Sequence, residues 1–302
     1  MRALVIHGGA GVVLARMSDS DRAAYDESLG RTVDAGFEVL DKGGMSLDAV
    51  TTAVRMLEDD PLFNAGHGAG LTRQRDAELD AAVMDGRDQR AGAVACVTHI
   101  KNPVVLARRV MERSAHVMLM GTGAEEFALE QGMALMPGRY FRTAQRLAHV
   151  DSLQRGEDFP DVVPATQGTV GAVALDTAGN LAAATSTGGL TNRLPGRVGD
   201  TPIIGAGTYA KNGVCGVSAT GEGEFFIRSV AAHHIAAAVE YRGLPLRDAV
   251  SELVHRILPG LGGLGGIIAV GADGTIVTEF NTQGMFRAER DSSGRRVVAI
   301  AR

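Results

Sequence analysis

The sequence has no tryptophan and few aromatic residues of any kind. Phe and Tyr together make up 4% of its 302 residues, so the core volume has to come from Ala, Val, Leu, Ile and Met. The 40 glycines indicate many tight turns and close approaches of backbone segments. Hydrophobic residues make up 45% of the chain, which at this length is enough for one large domain or two small ones.

The chain also lacks a disulfide framework and a long apolar run. Its two cysteines, Cys96 and Cys215, are far apart and each lies in an apolar segment, as is typical of buried thiols in a reducing compartment. No apolar run approaches the ~20 residues of a membrane span. The start, MRALVIHGGAG, has one Arg and a short apolar run interrupted by His and Gly. We therefore expect no signal peptide and a cytoplasmic location.

Standard sequence signatures of nucleic-acid binding and catalysis are absent. The net charge is −5 and no basic run is present, which argues against nucleic-acid binding. The sequence has no G-x-S-x-G, Walker or H-E-x-x-H motif. His233 and His234 are adjacent in a predicted helix and point about 100° apart, so they are not expected to share a metal. Residues 9–11 follow a strand but lack the third glycine of a dinucleotide site.

The pattern of apolar runs predicts α+β layers. Residues 3–7 read as a buried strand followed by a glycine loop. Grouped hairpins and paired helices favour α+β over a regular βαβ alternation. Strand hairpins are predicted over ELDAAVMD–AGAVACVTHI, TVGAVALD–LAAATST and GGIIAVGADGTIVTEFN, and the main helices over about 19–42, 46–60 (with Ser46 as N-cap), 223–241 and 245–257.

One boundary in the middle of the chain stands out. Residues 155–168 contain two prolines and no sustained period, which predicts a flexible linker. Thr169 follows directly and begins a buried strand. A threonine hydroxyl becomes nucleophilic when the α-amine of the same residue acts as its base, which requires cleavage after Gly168. The alternative is that Thr169 is simply the first β-branched residue of a strand, since three other Gly-Thr pairs occur.

Motifs along the whole chain resemble one family. GTVGAVALD, ATSTGGLTNRLPGRVGDTPIIGAGTYA and SATGEGEFFIR, together with HGGAG, DPLFNAGHGAGLT, LDAAVMDG and FNTQGM, are similar to the plant-type asparaginases and isoaspartyl peptidases, and most similar to the bacterial branch. The resemblance implies an N-terminal nucleophile (Ntn) hydrolase fold, an αββα sandwich. It also implies cleavage between Gly168 and Thr169 into an α subunit (1–168) and a β subunit (169–302), which together form one domain.

The resemblance assigns four catalytic positions. Thr169 is the nucleophile, and its freed amine is the base. Thr187 hydrogen-bonds to Thr169 and helps to activate it. Thr220 and Gly221 form the oxyanion hole, a role that suits residues just before a predicted helix. An ordinary helix N-cap is a compatible interpretation of the same segment.

It also assigns the substrate pocket. Arg197 and Asp200 bind the α-carboxylate and the α-ammonium of the substrate, Gly221 contributes to the pocket, and Gly223 completes it. A guanidinium suits a carboxylate and a carboxylate suits an ammonium. Without the flanking motif, a solvated ion pair in a loop would be the preferred interpretation of Arg197 and Asp200.

A structural sodium ion is implied for the segment LEDDPLFNAGH. No organic cofactor is expected, and His7 is interpreted as a structural residue in a loop under the site. Backbone carbonyls suit a hard monovalent cation. By resemblance, the carbonyl ligands belong to Leu57, Glu58, Asp60, Phe63, Ala65 and His67.

The expected activity is hydrolysis of L-asparagine and β-aspartyl dipeptides through a threonine acyl-enzyme, by an (αβ)₂ assembly without nucleic-acid or membrane partners. Three alternatives remain. One is a glycosylasparaginase-like amidase, which tends to have Asn where this chain has Gly189. The others are a Rossmann-like oxidoreductase and an uncleaved binding protein that captures amino acids through Arg197 and Asp200.

Overall fold

In the computed structural model, residues 1–157, 159 and 168–301 are described. Most of the predicted linker (158 and 160–167) therefore lies outside the described residues. The strands are β1 Ala3–Ala10, β2 Leu79–Asp85, β3 Ala91–Val97, β4 Met118–Met120, β5 Val170–Leu175, β6 Leu181–Thr187, β7 Thr208–Lys211, β8 Cys215–Gly221, β9 Gly265–Gly271, β10 Ile276–Phe280, β11 Met285–Asp291 and β12 Arg296–Ala299. The α-helices are α1 Asp19–Asp41, α2 Ser46–Asp59, α3 Pro103–Arg113, α4 Gly121–Glu130, α5 Ala144–Gln154, α6 Gly223–Ser229, α7 Ala231–Arg242, α8 Leu246–Glu252 and α9 Leu258–Leu261, and a π-helical turn, Leu253–Ile257, joins α8 to α9.

The strands form two sheets. The larger sheet has the order β12-β11-β1-β5-β6-β2-β3-β4 and the smaller one the order β10-β9-β8-β7. In the larger sheet, strands from both sides of Gly168 alternate, because β5 and β6 lie between β1 and β2. The two halves of the chain therefore share one sheet and contribute to both hydrophobic clusters, which agrees with the predicted α+β class.

Helices and sheets are stacked in contact. Helices α1, α2 and α3 pack against strands of the larger sheet, strands β1, β5 and β6 of that sheet contact the smaller sheet, and α7 and α8 pack against the smaller sheet. In β1, Leu4 and Ile6 face the helices, whereas Ala3 and Val5 face the smaller sheet. A strand buried on both faces has to be apolar at every position, which explains the unbroken apolar runs.

The three predicted hairpins are confirmed. β2 pairs with β3, β5 with β6 and β9 with β10, each antiparallel. A fourth hairpin, β11 with β12, was not predicted from the sequence. The prediction that residues 8–10 form a loop was wrong, because β1 continues through them after an irregularity between His7 and Gly9. The strand pairings are antiparallel except for β3 with β4, and the segment 9–11 opens no helix, which contradicts the dinucleotide-site alternative.

Helix ends differ from the sequence prediction at two places. Ser46 is the first residue of α2 and Met45 occupies its N-cap, so the predicted N-cap was wrong by one residue. The helix predicted over 223–241 is interrupted at Val230, which has φ 48° and ψ 49°. This left-handed conformation ends α6 and begins α7, and it is unfavourable for a β-branched residue. In a continuous helix the amides of Ala232 and His233 would donate to carbonyls four residues earlier. Here they donate to the carbonyls of Ala206 and Gly205.

Two further expectations concern the whole chain. Cys96 and Cys215 are free cysteines, as predicted, but only Cys215 is buried and Cys96 is half-buried. Within the described ranges, no helix combines the length and the apolar character that crossing a bilayer would require.

Candidate active site

The predicted cleavage site lies at the start of β5, in the centre of the larger sheet. Thr169 is buried and precedes Val170, which pairs with Ser186, so Thr187 lies opposite Thr169 on the neighbouring strand. Gly168 has φ 116°, a conformation that favours glycine. A Cβ at this position would also lie only 2.8 Å from Cβ of Asn64. The residue before Thr169 therefore has to be glycine both for its conformation and for the space it leaves.

The carbonyl oxygen of Gly168 is surrounded by donors. It lies 2.8 Å from Oγ1 of Thr169 and 3.2 Å from Oγ1 of Thr187, and it accepts a hydrogen bond from Nδ2 of Asn64 at 3.0 Å. The two threonine hydroxyls are 3.2 Å apart. Two of these donors, the amide of Asn64 and the hydroxyl of Thr187, are independent of Thr169, and they polarise the carbonyl carbon towards attack and stabilise the negative charge that would form on the oxygen.

Asn64 is a site residue that the sequence analysis missed. Its Nδ2 also donates to the carbonyl of Gly189 at 2.8 Å, and its Oδ1 accepts from the amide of Gly70 at 2.6 Å. The amide of Gly189 in turn donates to Oγ1 of Thr187 at 2.9 Å. Asn64 belongs to the segment that the resemblance assigned to sodium, and no local pattern links it to a carbonyl 104 residues away.

His7 lies in strand β1 rather than in a loop, which corrects the sequence prediction. Its Nδ1 is 3.1 Å from the carbonyl oxygen of Thr169, and its Nε2 is 2.9 Å from Oγ of Ser218. A carbonyl can only accept, so Nδ1 carries the proton and Nε2 accepts from Ser218. Burial lowers the pKa of His7 to about 3, and the neutral ring thus anchors the main chain of the proposed nucleophile.

Thr220 and Gly221 form the end of β8, in the smaller sheet. The amide of Ala10 donates to Oγ1 of Thr220 at 3.2 Å, which leaves the hydroxyl proton of Thr220 available for another acceptor. A Cβ at Gly9, one residue away, would lie 3.1 Å from Cα of Gly168 and 3.4 Å from the nitrogen of Thr169. The segment Gly9–Ala10 is therefore next to both the predicted cleavage site and the predicted oxyanion hole.

Arg197, Asp200 and Gly223 meet at one point. A Cβ at Gly223 would lie 2.9 Å from Oδ1 of Asp200 and 3.0 Å from Nη2 of Arg197. The guanidinium of Arg197 pairs with Glu224, a contact the sequence analysis did not predict. Asp200 is buried and, in the part of the chain that the structure describes, its Oδ2 has no hydrogen-bond partner. Burial raises the pKa of Asp200 to about 7.

Asp80 of β2 lies next to Thr187 of β6 and faces the segment 197–200. It pairs with Thr187 in the register of β2 and β6, and its Oδ1 accepts the amide of Cys96 at 2.9 Å. The amide of Gly199, between Arg197 and Asp200 in the sequence, also faces this carboxyl group and favours its charged form. Burial raises the pKa of Asp80 to about 6. The sequence analysis gave this carboxyl group no role.

The segment assigned to sodium has carbonyl oxygens that converge on two glycines. A Cβ at Gly66 would lie 2.3 Å from the carbonyl oxygen of Glu58, and one at Gly68 would lie 2.2 Å from that of Phe63 and 2.5 Å from that of Pro61. Within the described residues, no cluster of three or more His, Cys, Asp or Glu side chains could hold a metal. Main-chain carbonyls are ligands of the type that a hard monovalent cation takes. Those of Glu58 and Phe63 belong to the predicted set, whereas that of Pro61 does not.

Comparison with known proteins identifies the family. The family model described as Asparaginase matches residues 1–300. The chain belongs to this family. It is 51% identical over 293 residues to an isoaspartyl peptidase of Escherichia coli, with 94% of this chain and 91% of the relative covered. It is 50% identical to an isoaspartyl peptidase of Salmonella typhimurium (94% of each) and 42% identical to an isoaspartyl peptidase/L-asparaginase of Rattus norvegicus (93% and 84%).

Proposed function

We propose that this asparaginase-family chain cleaves itself between Gly168 and Thr169 and then hydrolyses L-asparagine and β-aspartyl dipeptides to L-aspartate. The observation that carries the proposal is the arrangement at the Gly168 carbonyl. A buried threonine hydroxyl lies beside the carbonyl that precedes it, and Asn64 and Thr187 donate to the same oxygen. An ordinary first residue of a strand has no need of such donors. The names of the relatives support the substrate class.

The architecture we propose is the αββα sandwich of an Ntn hydrolase. Its support is the stacking of α1–α3, the two sheets, and α7 with α8. Cleavage would give an α subunit, 1–168, and a β subunit, 169–302. The two would stay together because β5 and β6 hydrogen-bond to β1 and β2 across the cut.

The first reaction is an acyl shift. Oγ1 of Thr169 attacks the carbonyl carbon of Gly168, so that a C–O bond forms and the C–N bond of the peptide breaks. The hydroxyl proton passes to the departing nitrogen, which becomes the α-amine of Thr169. Asn64 and Thr187 stabilise the charge on the carbonyl oxygen. Water then hydrolyses the ester and releases the carboxylate of Gly168.

The second reaction uses the freed amine as the base. Its pKa of about 7.7–8.0 leaves a useful neutral fraction at physiological pH. Arg197 and Asp200 bind the α-carboxylate and α-ammonium of the substrate. Oγ1 of Thr169 attacks the side-chain carbonyl, whose oxygen is bound by Thr220 and Gly221 while ammonia or an amino acid leaves. Water then releases L-aspartate from the ester.

Other parts of the proposal concern the assembly. The mature enzyme is an (αβ)₂ molecule of the cytoplasm, and the reaction needs no organic cofactor.

A sodium ion would be held by the main-chain carbonyls of the segment 57–67, where it would stiffen the loop that carries Asn64. The carbonyls that converge on Gly66 and Gly68 support this assignment.

Intact-mass spectrometry of purified protein tests the proposal. Wild type should split into two chains, with threonine as the first residue of the smaller one, and should hydrolyse L-asparagine. Thr169→Ala should stay whole and inactive. Thr122→Ala is the matched control, since Thr122 also follows a glycine but is exposed, and it should behave as wild type. A full-length wild-type chain that binds but does not hydrolyse L-asparagine would support the binding-protein alternative instead.

A further inference from the structure

A cavity opens beside the proposed oxyanion hole and has no role in the mechanism given above. Its volume is about 480 Å³, within the range of sites for small organic ligands. The lining consists of two chain segments and one isolated leucine. The lining residues are Gly11, Val12, Val13, Leu264, Asn281, Thr282 and Gln283.

One wall of the cavity continues from the nucleophile. Gly9 adjoins the Gly168–Thr169 bond, Ala10 donates to Oγ1 of Thr220, and the next residue, Gly11, already lines the cavity. The amide of Gly11 donates to Oγ1 of Thr282 at 3.2 Å, which joins the two lining segments. Gly11 follows Gly9 by two residues. The cavity therefore begins about 7 Å along the chain from Gly9, which adjoins the Gly168–Thr169 bond.

The other wall continues from the oxyanion hole. The carbonyl of Leu264 accepts the amide of Glu222 at 3.1 Å, and a Cβ at Gly221 would lie 2.4 Å from the same oxygen. The main chain of Leu264 therefore touches the segment that would bind the substrate's carbonyl oxygen. Its side chain lines the cavity and is 44% exposed.

Among the residues that the structure describes, the lining has no ionisable side chain. Val13 and Leu264 contribute aliphatic side chains to the lining, Val12 is buried in the hydrophobic core, and residues 281–283 carry amides and a hydroxyl. An exposed leucine next to a cavity stabilises an apolar ligand by the area that it removes from water. A charged ligand side chain would lose hydration here without gaining a partner.

We propose that this cavity is the leaving-group site and binds the C-terminal residue of β-aspartyl dipeptides, with a preference for uncharged, apolar side chains. The inference rests on the proposed function. Arg197 and Asp200 meet at Gly223, beyond the oxyanion hole, and bind the aspartyl part of the substrate. The group on the other side of the attacked carbonyl then lies against Gly11 and Leu264.

The proposal predicts different effects of the cavity lining on the hydrolysis of two substrates. L-Asparagine releases ammonia, which is too small to contact Leu264, whereas β-aspartyl-leucine releases an amino acid that fills the cavity. A change in the lining should therefore alter dipeptide hydrolysis and leave asparagine hydrolysis unchanged. L-Asparagine is thus an internal control for folding and for self-cleavage.

Steady-state kinetics of wild type and Leu264→Ala test this. Wild type should show a kcat/KM for β-aspartyl-leucine at least about tenfold above those for β-aspartyl-lysine and β-aspartyl-glutamate. Leu264→Ala should lower the value for β-aspartyl-leucine by about tenfold and leave that for L-asparagine unchanged. Leu129→Ala, at an exposed leucine of α4, should alter neither.

The possible failures are distinguishable. If wild type hydrolyses neither L-asparagine nor any dipeptide, the proposed function fails. If it hydrolyses them but does not discriminate between leaving residues, or if Leu264→Ala lowers both substrates equally, only the leaving-group site is overturned. Mass spectrometry of each variant establishes that the protein compared is fully cleaved.

Discussion

Arg197 and Glu224 form a two-point ion pair. Nε of Arg197 donates to Oε1 of Glu224 at 2.9 Å, and Nη2 donates to Oε2 at 2.8 Å. The side chain of Arg197 is 16% exposed, whereas that of Glu224 is 53% exposed. A pair with such an exposed partner contributes little to stability, but its fork geometry fixes the plane of the guanidinium. We infer that Glu224 orients Arg197 for the substrate's carboxylate.

Glu224→Gln should weaken substrate binding more than catalysis. The amide keeps one acceptor and loses the charge, so the guanidinium plane is held less firmly. KM for L-asparagine should rise by about tenfold, the effect of one charge-assisted hydrogen bond, while kcat and self-cleavage stay near wild type. Glu252→Gln is the control, because Glu252 pairs with Arg242 and Arg256 at the surface. A lower kcat at unchanged KM would contradict the positioning role.

Asn64→Ala should slow self-cleavage. The variant removes the amide donor at 3.0 Å from the Gly168 carbonyl, and loss of one such donor costs a factor of about 10²–10³. The measurement is the fraction of full-length chain over time by denaturing electrophoresis. Asn102→Ala is the control, since Nδ2 of Asn102 donates to Asp59 rather than to the cleavage site. Cleavage of Asn64→Ala at the wild-type rate would exclude Asn64 from the oxyanion environment.

The elements that sequence predicted best are those set by local pattern. The hairpins over β2–β3, β5–β6 and β9–β10 combine apolar runs with short polar turns, and α1 begins with a capping box at Ser18. Each of these signals lies within a few residues of the element it specifies, so no knowledge of the tertiary structure was needed. The site residues came from motif resemblance, not from spacing.

The elements that sequence missed depend on distant contacts. β1 extends through its glycines because β11 pairs with them, and Val230 adopts a left-handed conformation where the amides that follow it bind carbonyls of residues 205 and 206. Asn64 and Glu224 gain their roles from partners 104 and 27 residues away. Such roles become visible only once the chain is folded.

Binding at the active site should depend on the protonation of Asp200. Burial raises the pKa of Asp200 to about 7, so the carboxyl loses its charge as the pH falls through 7 and no longer attracts the ammonium of a ligand. The Ki of the product, L-aspartate, should therefore increase between pH 8 and pH 6. The α-amine of Thr169, with a pKa of about 7.7–8.0, titrates in the same range but is common to wild type and Asp200→Asn, so the two proteins are compared at each pH. Asp200→Asn should bind more weakly at pH 8, and its Ki should approach that of wild type at pH 6. A ratio of the two Ki values that stays constant from pH 8 to pH 6 would refute the assignment.

His7 should make the stability of the uncleaved chain depend on pH. Its pKa is about 3 when folded and about 6.5 when unfolded, so between these values only the unfolded chain binds the proton. The stability contribution of neutral His7 is thus fully present above pH 6.5 and decreases on acidification, by at most about 1.4 kcal/mol per pH unit.

Urea unfolding in the Thr169→Ala background, where one intact chain unfolds, measures this contribution. The Thr169→Ala protein should lose stability relative to the double variant Thr169→Ala, His7→Gln as the pH falls from 7 to 5. The reason is that glutamine has no proton to gain. Buried carboxyl groups with raised pKa values, such as Asp80 and Asp200, change stability in the opposite direction but are common to both proteins and cancel in the difference. A difference that stays constant from pH 7 to pH 5 would mean that His7 is protonated in the folded chain, and its Nε2 could then not accept from Ser218.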